Sequence, residues 1–323
     1  MFRSIMFRSI SRMILFAILM PGSAIAQSYP SKPIRWVLPI APGGIVDTVA
    51  RVIAPGLSEK LGTSIVVDNR PGGGTILGTD IVAKSPPDGY TILLTSSALV
   101  VNPTLSKLPY DPAKDLAPVI QLAVTPMVLV VHPSMPVRNM KEFLAHAKAN
   151  PGKLNYGTPG TGTTLHLTTK LLEEATGIEM VDVNYKGTGP MLNDLFGGQL
   201  QLSVSTPIEV IPHIRSGRLR AIAVTGDKRI SALPDVPTMI EGGLPFEASV
   251  WMGVLAPSGT PKEIVARLNS EFNKVLQLPE VSERLSGSSV QGVGGTPEQF
   301  AALIKTDLPK WAAIIKKANI KIE

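Results

Sequence analysis

The chain has 323 residues, 44% of them hydrophobic, with 31 basic against 25 acidic side chains, a formal net charge of +6 and no cysteine. That composition excludes disulfide scaffolds, thiol catalysis, cysteine-based zinc sites and the lipid-carrying cysteine of an anchored bacterial lipoprotein. It leaves enough chain for two ordinary domains.

Residues 1–26 carry three arginines and no acid, an apolar run from Met13 to Met20 and the small-residue end Ala24-Ile25-Ala26. This is the n-region, h-region and cleavage site of a secretory signal peptide. The apolar run is too short to span a bilayer, so cleavage is expected after Ala26 and the mature protein is expected to be periplasmic. Without the three leader arginines, 28 basic residues face 25 acidic ones and the net charge falls to +3. No polybasic run remains, and no nucleic-acid partner is expected.

From there, short apolar runs alternate with helical patterns, which argues for α/β layers. The pattern predicts a strand over 34–40, a helix over 46–61, and strands over 64–68, 90–95 and 127–131. A helix over 140–150, a strand over 153–156 and a helix over 165–176 follow. Next come a strand over 180–184, a helix over 190–196, a strand over 200–205, a helix over 207–216, and strands over 219–225 and 251–256. Helices over 261–276 and 297–318 close the chain. Thr260-Pro261-Lys262-Glu263 and Thr296-Pro297-Glu298-Gln299 have the residues of capping boxes, and Asn139 with Glu142 has the same spacing with an amide cap. Phe300, Leu303, Ile304, Trp311, Ile314 and Ile315 recur at helical spacing and predict a buried face. Val128 to Ser134 and Val254 to Ser258 are two strands that each run through a Pro-Ser turn into a helix start. They are expected to be two crossings between similar domains, one domain comprising 27–127 and 250–323 and the other 128–249.

The four histidines, His132, His146, His166 and His213, form no HxxxH or HExxH pair, and neither a nucleophile elbow nor a P-loop is present. No metal or cofactor is expected. Gly72 to Gly78 can be read as a dinucleotide turn, but Asp68-Asn69-Arg70-Pro71 separates it from its strand and no acid ends the next strand. Two other glycine turns lie between a strand and a helix: Ala41-Pro42-Gly43-Gly44, and Gly157 to Thr164. Neither contains a charged residue. Each would expose N–H groups at a helix start, suited to a carboxylate more than to a polyphosphate; a plain tight turn is the alternative for either one alone.

These tracts, with Asp68-Asn69-Arg70-Pro71-Gly72, Pro87-Asp88-Gly89-Tyr90, His166-Leu167, Tyr185-Lys186-Gly187, Leu233 to Thr238 and Leu255 to Pro261, resemble in order and spacing the periplasmic solute-binding receptors of tripartite tricarboxylate transporters, the Bug receptors. The resemblance covers essentially the whole mature chain. It implies an α/β, two-domain periplasmic binding protein (type II, Venus-flytrap), each domain a mixed sheet flanked by helices. Such a receptor closes on a small organic acid (a dicarboxylate, tricarboxylate or aromatic carboxylate) and delivers it, as a monomer, to membrane permease subunits. It implies a ligand carboxylate held by Pro42, Gly43 and Gly44, with Asp47 bracing that turn. The second domain would close on the ligand through Gly157, Thr158, Gly160, Thr161 and Thr163. Ser96 and Ser97 would reach its far end, His166 would cap or line the cleft, and Tyr185 and Ser205 complete the candidate set. Relatives commonly carry aspartate where this chain has Ser205. If Ser205 faces the cleft, no carboxylate meets a ligand ammonium there, and amino acids are expected to be poor ligands. The rival readings are a sensing receptor for a membrane kinase, and a periplasmic enzyme acting on carboxylates through Ser97 or Thr163 with His166.

Overall fold

The computed structural model describes residues 29–317; the leader read over 1–26 and the final residue of the last predicted helix, Ala318, lie outside them. Strands and helices follow in chain order as β1 (Ile34–Leu38), α1 (Ile45–Leu61), β2 (Ile65–Asn69), α2 (Ile76–Ala83), β3 (Thr91–Ser96), α3 (Ala98–Leu105), β4 (Leu116–Pro126), β5 (Val128–Val131), α4 (Met140–Ala149), β6 (Asn155–Thr158) and α5 (Thr164–Thr176). The remainder are β7 (Val181–Asn184), α6 (Thr188–Phe196), β8 (Leu202–Ser205), α7 (Pro207–Arg215), β9 (Arg220–Val224), β10 (Ser249–Pro257), α8 (Lys262–Leu276), α9 (Pro279–Gly287), β11 (Gln291–Gly292) and α10 (Pro297–Lys317).

The strands form two sheets, ordered β11-β4-β10-β3-β1-β2 and β7-β6-β8-β5-β9. In the first, β1 pairs parallel with β2 and β3, while β10 runs antiparallel to β3 and β4. In the second, β6 pairs parallel with β7 and β8, while β5 runs antiparallel to β8 and β9. Each parallel strand feeds a helix at its carboxyl end, so the starts of α1, α2 and α3 line one edge of the first lobe. The starts of α5, α6 and α7 line one edge of the second.

Central strands read as unbroken apolar runs because helices cover both faces. Trp36 and Leu94 face the layer of α1 and α8, and Leu93 faces the layer holding Leu99, Phe300 and Trp311. Phe300, Ile304, Trp311 and Ile315 are buried on α10, with Leu303 and Ile314 half-buried beside them. Thr296 and Gln299 form the reciprocal capping box, and Asn139 caps α4 through the Glu142 N–H. Thr260 does not cap α8: its hydroxyl donates to the Pro257 carbonyl, 2.7 Å, and is used up in the turn before the helix.

Five elements lie outside the sequence expectation. β4 carries Pro118 inside an eleven-residue strand, where a shift in its register with β10 accommodates it. α3 is apolar on all sides and carries Pro103, which blurs its period. α2 contains Gly78, α9 has few apolar residues, and β11 is two residues long.

The chain crosses between lobes twice, at Pro126–Met127 and again between β9 and β10. Buried Thr225 staples the crossings together. Its hydroxyl accepts from the Met127 N–H, 2.9 Å, and donates to the Ala248 carbonyl, 2.6 Å, while its own N–H and carbonyl bond Met127 and Ala248.

Gly78 sets how closely α2 packs on the first sheet. A Cβ there would lie 2.7 Å from the Arg70 carbonyl oxygen and 2.7 Å from Pro39 Cα, both backbone atoms. Gly78→Ala is expected to destabilise the protein by about 1–3 kcal/mol through overpacking, read as a lowered urea midpoint with an unchanged slope.

Candidate functional site

The two strand-end edges face each other. The Ser97 hydroxyl meets the Thr164 hydroxyl across the lobes at 2.8 Å. A Cβ on Gly74 would lie 3.1 Å from the Thr161 carbonyl oxygen. Leu167 of α5 is buried in the apolar layer of α3 and α10, and Ile208 at the start of α7 packs against the layer of α1 and α8. Lys317 pairs with Glu174 at 3.3 Å. Thr164, Leu167 and Glu174 form one stripe of α5 turned to the first lobe, Leu165 and Leu172 pack into the second, and Leu171 packs against both.

On the first lobe the cleft wall is the turn before α1. Gly43 has φ +90°, a left-handed conformation that favours glycine. Its N–H donates to Asp47 Oδ2, 3.0 Å, which also accepts from Arg51 Nε at 2.9 Å, and Asp47 Oδ1 accepts from Asn69 Nδ2 at 3.0 Å. Asp47 is 4% exposed. Burial pushes its carboxyl up, but the bonds from Arg51, Gly43 and Asn69 together hold it below the usual carboxylate range. So the Gly43 N–H is consumed inside the turn. Gly44 caps α1 without a side-chain bond, the first intrahelical N–H is that of Thr48, and among the described residues the N–H groups of Gly44, Ile45 and Val46 have no acceptor. Pro42 is exposed beside them and Ser96 is half-buried at the end of β3.

The second lobe's loop is largely self-satisfied. The Gly160 N–H donates to Thr158 Oγ1, the Thr163 N–H to the Gly160 carbonyl and the Gly162 N–H to His166 Nδ1, 3.2 Å. Thr163 Oγ1 caps α5 by accepting from the His166 N–H. The N–H groups of Thr161, Thr164 and Leu165 have no acceptor among the described residues. Asn184 Nδ2 donates to Thr161 Oγ1 from behind.

Several candidates are taken up by partners within the protein. His166 is 2% exposed; Nδ1 accepts from Gly162, so Nε2 carries the proton and donates to Asp182 Oδ2, 2.9 Å. Neither nitrogen has a lone pair left for Ser97 or Thr163, which removes the nucleophile-base pairing, and His166 braces the loop from within. Ser97 is 1% exposed and spent on Thr164. Thr158 is buried with its hydroxyl in the loop, and Gly157 is buried where a Cβ would meet Met191 at 2.7 Å. The Tyr185 hydroxyl donates to Asp194 Oδ2, 2.6 Å; burial and that carboxylate push it up to about 12. Ser205 is fully buried, its hydroxyl 2.9 Å from that of Ser203, which in turn reaches Met191 of α6. It has no exposed surface and its hydroxyl is engaged by Ser203.

Two wall elements escaped the sequence reading. The Gly72–Thr75 turn, weighed only as a nucleotide loop, meets Thr161; it runs at positive φ throughout, Thr75 included at +87°, and Asn102 Nδ2 holds it by donating to the Gly74 carbonyl and Thr75 Oγ1. Glu209, at the start of α7, is the other. Its Oε2 accepts from the Thr206 N–H, 3.1 Å, and its Oε1 from Thr188 Oγ1, 3.0 Å. The capping spacing of Thr206 and Glu209 was the available signal.

Because the folded-state pKa of Asp47 lies below its unfolded value, its contribution is fully present above the ordinary carboxylate range and fades as pH falls through the folded value. Asp47→Asn is expected to lower stability by about 1–3 kcal/mol at pH 7. The gap should narrow in urea titrations repeated near pH 3.

A family model described as "Tripartite tricarboxylate transporter family receptor" matches residues 49–320. A protein from the tcbD-tcbE intergenic region of Pseudomonas sp. strain P51 is 42% identical over 292 residues, 90% of this chain and 87% of that one. Protein BugT of Bordetella pertussis is 38% identical over 302 residues, 92% and 93% of the two chains. Among solved structures, R. palustris Rpa4515 with adipate is 35% identical with a TM-score of 0.87, covering 91% of this chain and 99% of that one. MatC from Rhodopseudomonas palustris with bound malate is 30% identical with a TM-score of 0.82, covering 89% and 100%. The chain belongs to the tripartite tricarboxylate transporter receptor family.

Proposed function

We propose that this protein is a periplasmic receptor that captures a small organic carboxylate between its lobes, without turnover, and presents it to the permease of a tripartite transporter. The observation that carries the reading is the uncapped start of α1. Three adjacent N–H groups, on Gly44, Ile45 and Val46, stand at a helix N-terminus with no acceptor among the described residues, and an anion is the partner such a terminus favours. The open N–H groups of Thr161, Thr164 and Leu165, on the edge of the second lobe that meets the first through Thr164 and Ser97, support a second set of donors for the same ligand. Adipate and malate in the two related structures are both organic acids, which supports carboxylate as the ligand class. The commitment of His166 to Gly162 and Asp182 supports binding without turnover.

In this reading the ligand-contacting set narrows to Pro42, Gly44, Ser96 and Thr161 and extends to the N–H groups of Ile45, Val46, Thr164 and Leu165, with Gly43, Asp47, Gly160, Thr163 and His166 as braces. The lobes divide near 127 and 250, where Thr225 ties the crossings, and residues 1–26 are a leader cleaved after Ala26. The protein works as a monomer, with the permease subunits as its partner.

Thermal unfolding of the ligand-free protein against a panel of organic acids tests this. At about a hundred times Kd, binding adds roughly 2.7 kcal/mol, a rise of several degrees for a chain of this size. The acid should be recovered unchanged. The variant Ile45→Pro removes one open N–H at the first helical position, where proline is well tolerated, and Gly44 already has the extended backbone (φ −79°, ψ 172°) that precedes proline. It is expected to bind about tenfold more weakly or worse, since a hydrogen bond to a charged group is worth roughly 1.5–3 kcal/mol. Unaltered affinity in a folded Ile45→Pro protein would remove α1 as the anchor.

A further inference from the structure

His166 is held in a way that only one of its protonation states can satisfy. Its buried ring sits between the turn over 160–164 and the edge strand β7. Nδ1 accepts from the Gly162 N–H at 3.2 Å, and Nε2 donates to Asp182 Oδ2 at 2.9 Å. A second proton has one place to go, Nδ1, where it would set donor against donor at the Gly162 N–H. The imidazolium and the present shape of the turn exclude each other.

That turn carries the contact between the lobes. Gly162 takes φ +79°, a left-handed conformation, and the His166 ring is the acceptor for its N–H. On either side of it are two points at which the second lobe meets the first. The Thr161 carbonyl oxygen lies 3.1 Å from where a Cβ on Gly74 would stand, and the Thr164 hydroxyl lies 2.8 Å from that of Ser97. The open N–H groups of Thr161 and Thr164 belong to the same stretch. Releasing Gly162 therefore loosens the seam and the donor set together.

The charges around the ring favour the second proton, while burial opposes it. Asp182 on β7 has 28% of its side chain exposed, which links the buried ring to bulk water. Among the described residues it has no basic partner other than His166. On β6, burial together with Asp182 and Glu173 pushes the Tyr156 hydroxyl up, so it stays neutral. On α5 itself Glu173 pairs with Lys170 at 3.0 Å, and Lys170 lies over the Tyr156 ring. Gly74 and Ser97, which meet the turn from the first lobe, carry no charge. The latched turn binds one proton fewer than the released one, so it is favoured as pH rises and lost as pH falls through the titration of the ring.

We propose that His166 is a proton-operated latch: neutral, it holds Gly162 and keeps the turn set against the first lobe; protonated, it expels Gly162 and loosens the cleft. The latch itself is independent of what the cleft binds; its effect on a ligand, weaker capture in acid, rests on the carboxylate-receptor reading.

The test is NMR of the mature, ligand-free protein labelled with nitrogen-15 and titrated from pH 8 to pH 4.5. At pH 8 the His166 ring should show the Nε2–H tautomer. Its protonation and the shift of the Gly162 amide should share one midpoint, below which protection from hydrogen exchange over 161–165 falls about tenfold or more. Asp182→Asn keeps an oxygen for Nε2–H but removes the charge, and should lower that midpoint by roughly 1–3 pH units. His166→Asn places an oxygen where Nδ1 stands and cannot gain a proton; with its fold verified by unfolding midpoints, its Gly162 amide should no longer follow pH. With malate and adipate as probes, an affinity present at pH 7.5 should fall about tenfold at pH 5 in the parent protein and not in His166→Asn. A ring that titrates while Gly162 stays in place, or that remains neutral down to pH 4.5, overturns the latch and leaves the carboxylate receptor standing. Absence of binding by both acids at pH 7.5 counts against the receptor reading alone, since the NMR titration decides the latch without ligand.

Discussion

An unpaired peptide N–H shielded from water is the constraint around which this molecule is arranged. Every helix that follows a parallel strand begins with such groups on the cleft edge, and the chain disposes of them unequally. α5 is capped by Thr163 and α7 by Glu209, while the Gly162 N–H is given to His166. At α1 the cap is glycine and nothing from the protein answers Gly44, Ile45 and Val46. Asp47 sharpens the contrast: it lies one turn inside that same helix start and could have served as an acceptor there, yet it reaches back to Gly43 and out to Arg51 and Asn69. It stiffens the turn without filling it.

A rigid open donor set is useful only if the opposite lobe can be brought to it reproducibly, and α5 is the element that does so. It is apolar on two faces: Leu165 and Leu172 fix it in its own lobe, while Leu167 and Leu171 meet the other. The contact between lobes is thus partly hydrophobic and does not depend on ligand alone. Its polar points, Ser97 with Thr164 and Lys317 with Glu174, stand ten residues apart along α5, about 15 Å at the helical rise. Such a seam fixes orientation as well as distance. At the far end, Thr225 bonds both crossing segments at once, so the lobes are joined by a tied pair of crossings rather than a loose linker.

The α/β class, most of the strands and the two glycine turns were legible because they rest on local pattern: apolar runs of strand length, glycine where φ turns positive, a hydroxyl three residues ahead of a glutamine. What the pattern could not carry was direction. Ser205 and Glu209 are four residues apart, and nothing in the sequence says that the first engages Ser203 and the second the Thr206 N–H and Thr188; that is decided by the pleat of β8 and by the capping geometry of α7. Ser97 and His166 likewise read as reactive groups until their partners are known, because Thr164, Gly162 and Asp182 lie on other segments or on the other lobe. The Gly72–Thr75 turn was visible as glycine but not as a wall, since its role exists only against Thr161.

The charge pattern of the cleft follows from the same division of labour. Arginines lie close to it, yet each is spent: Arg51 on Asp47, Arg35 and Arg70 on Asp68. The open donors of the first lobe are therefore backbone dipoles, which are fixed in direction and favour an anion placed squarely on the helix axis. A free guanidinium would follow a misplaced anion; a peptide N–H cannot.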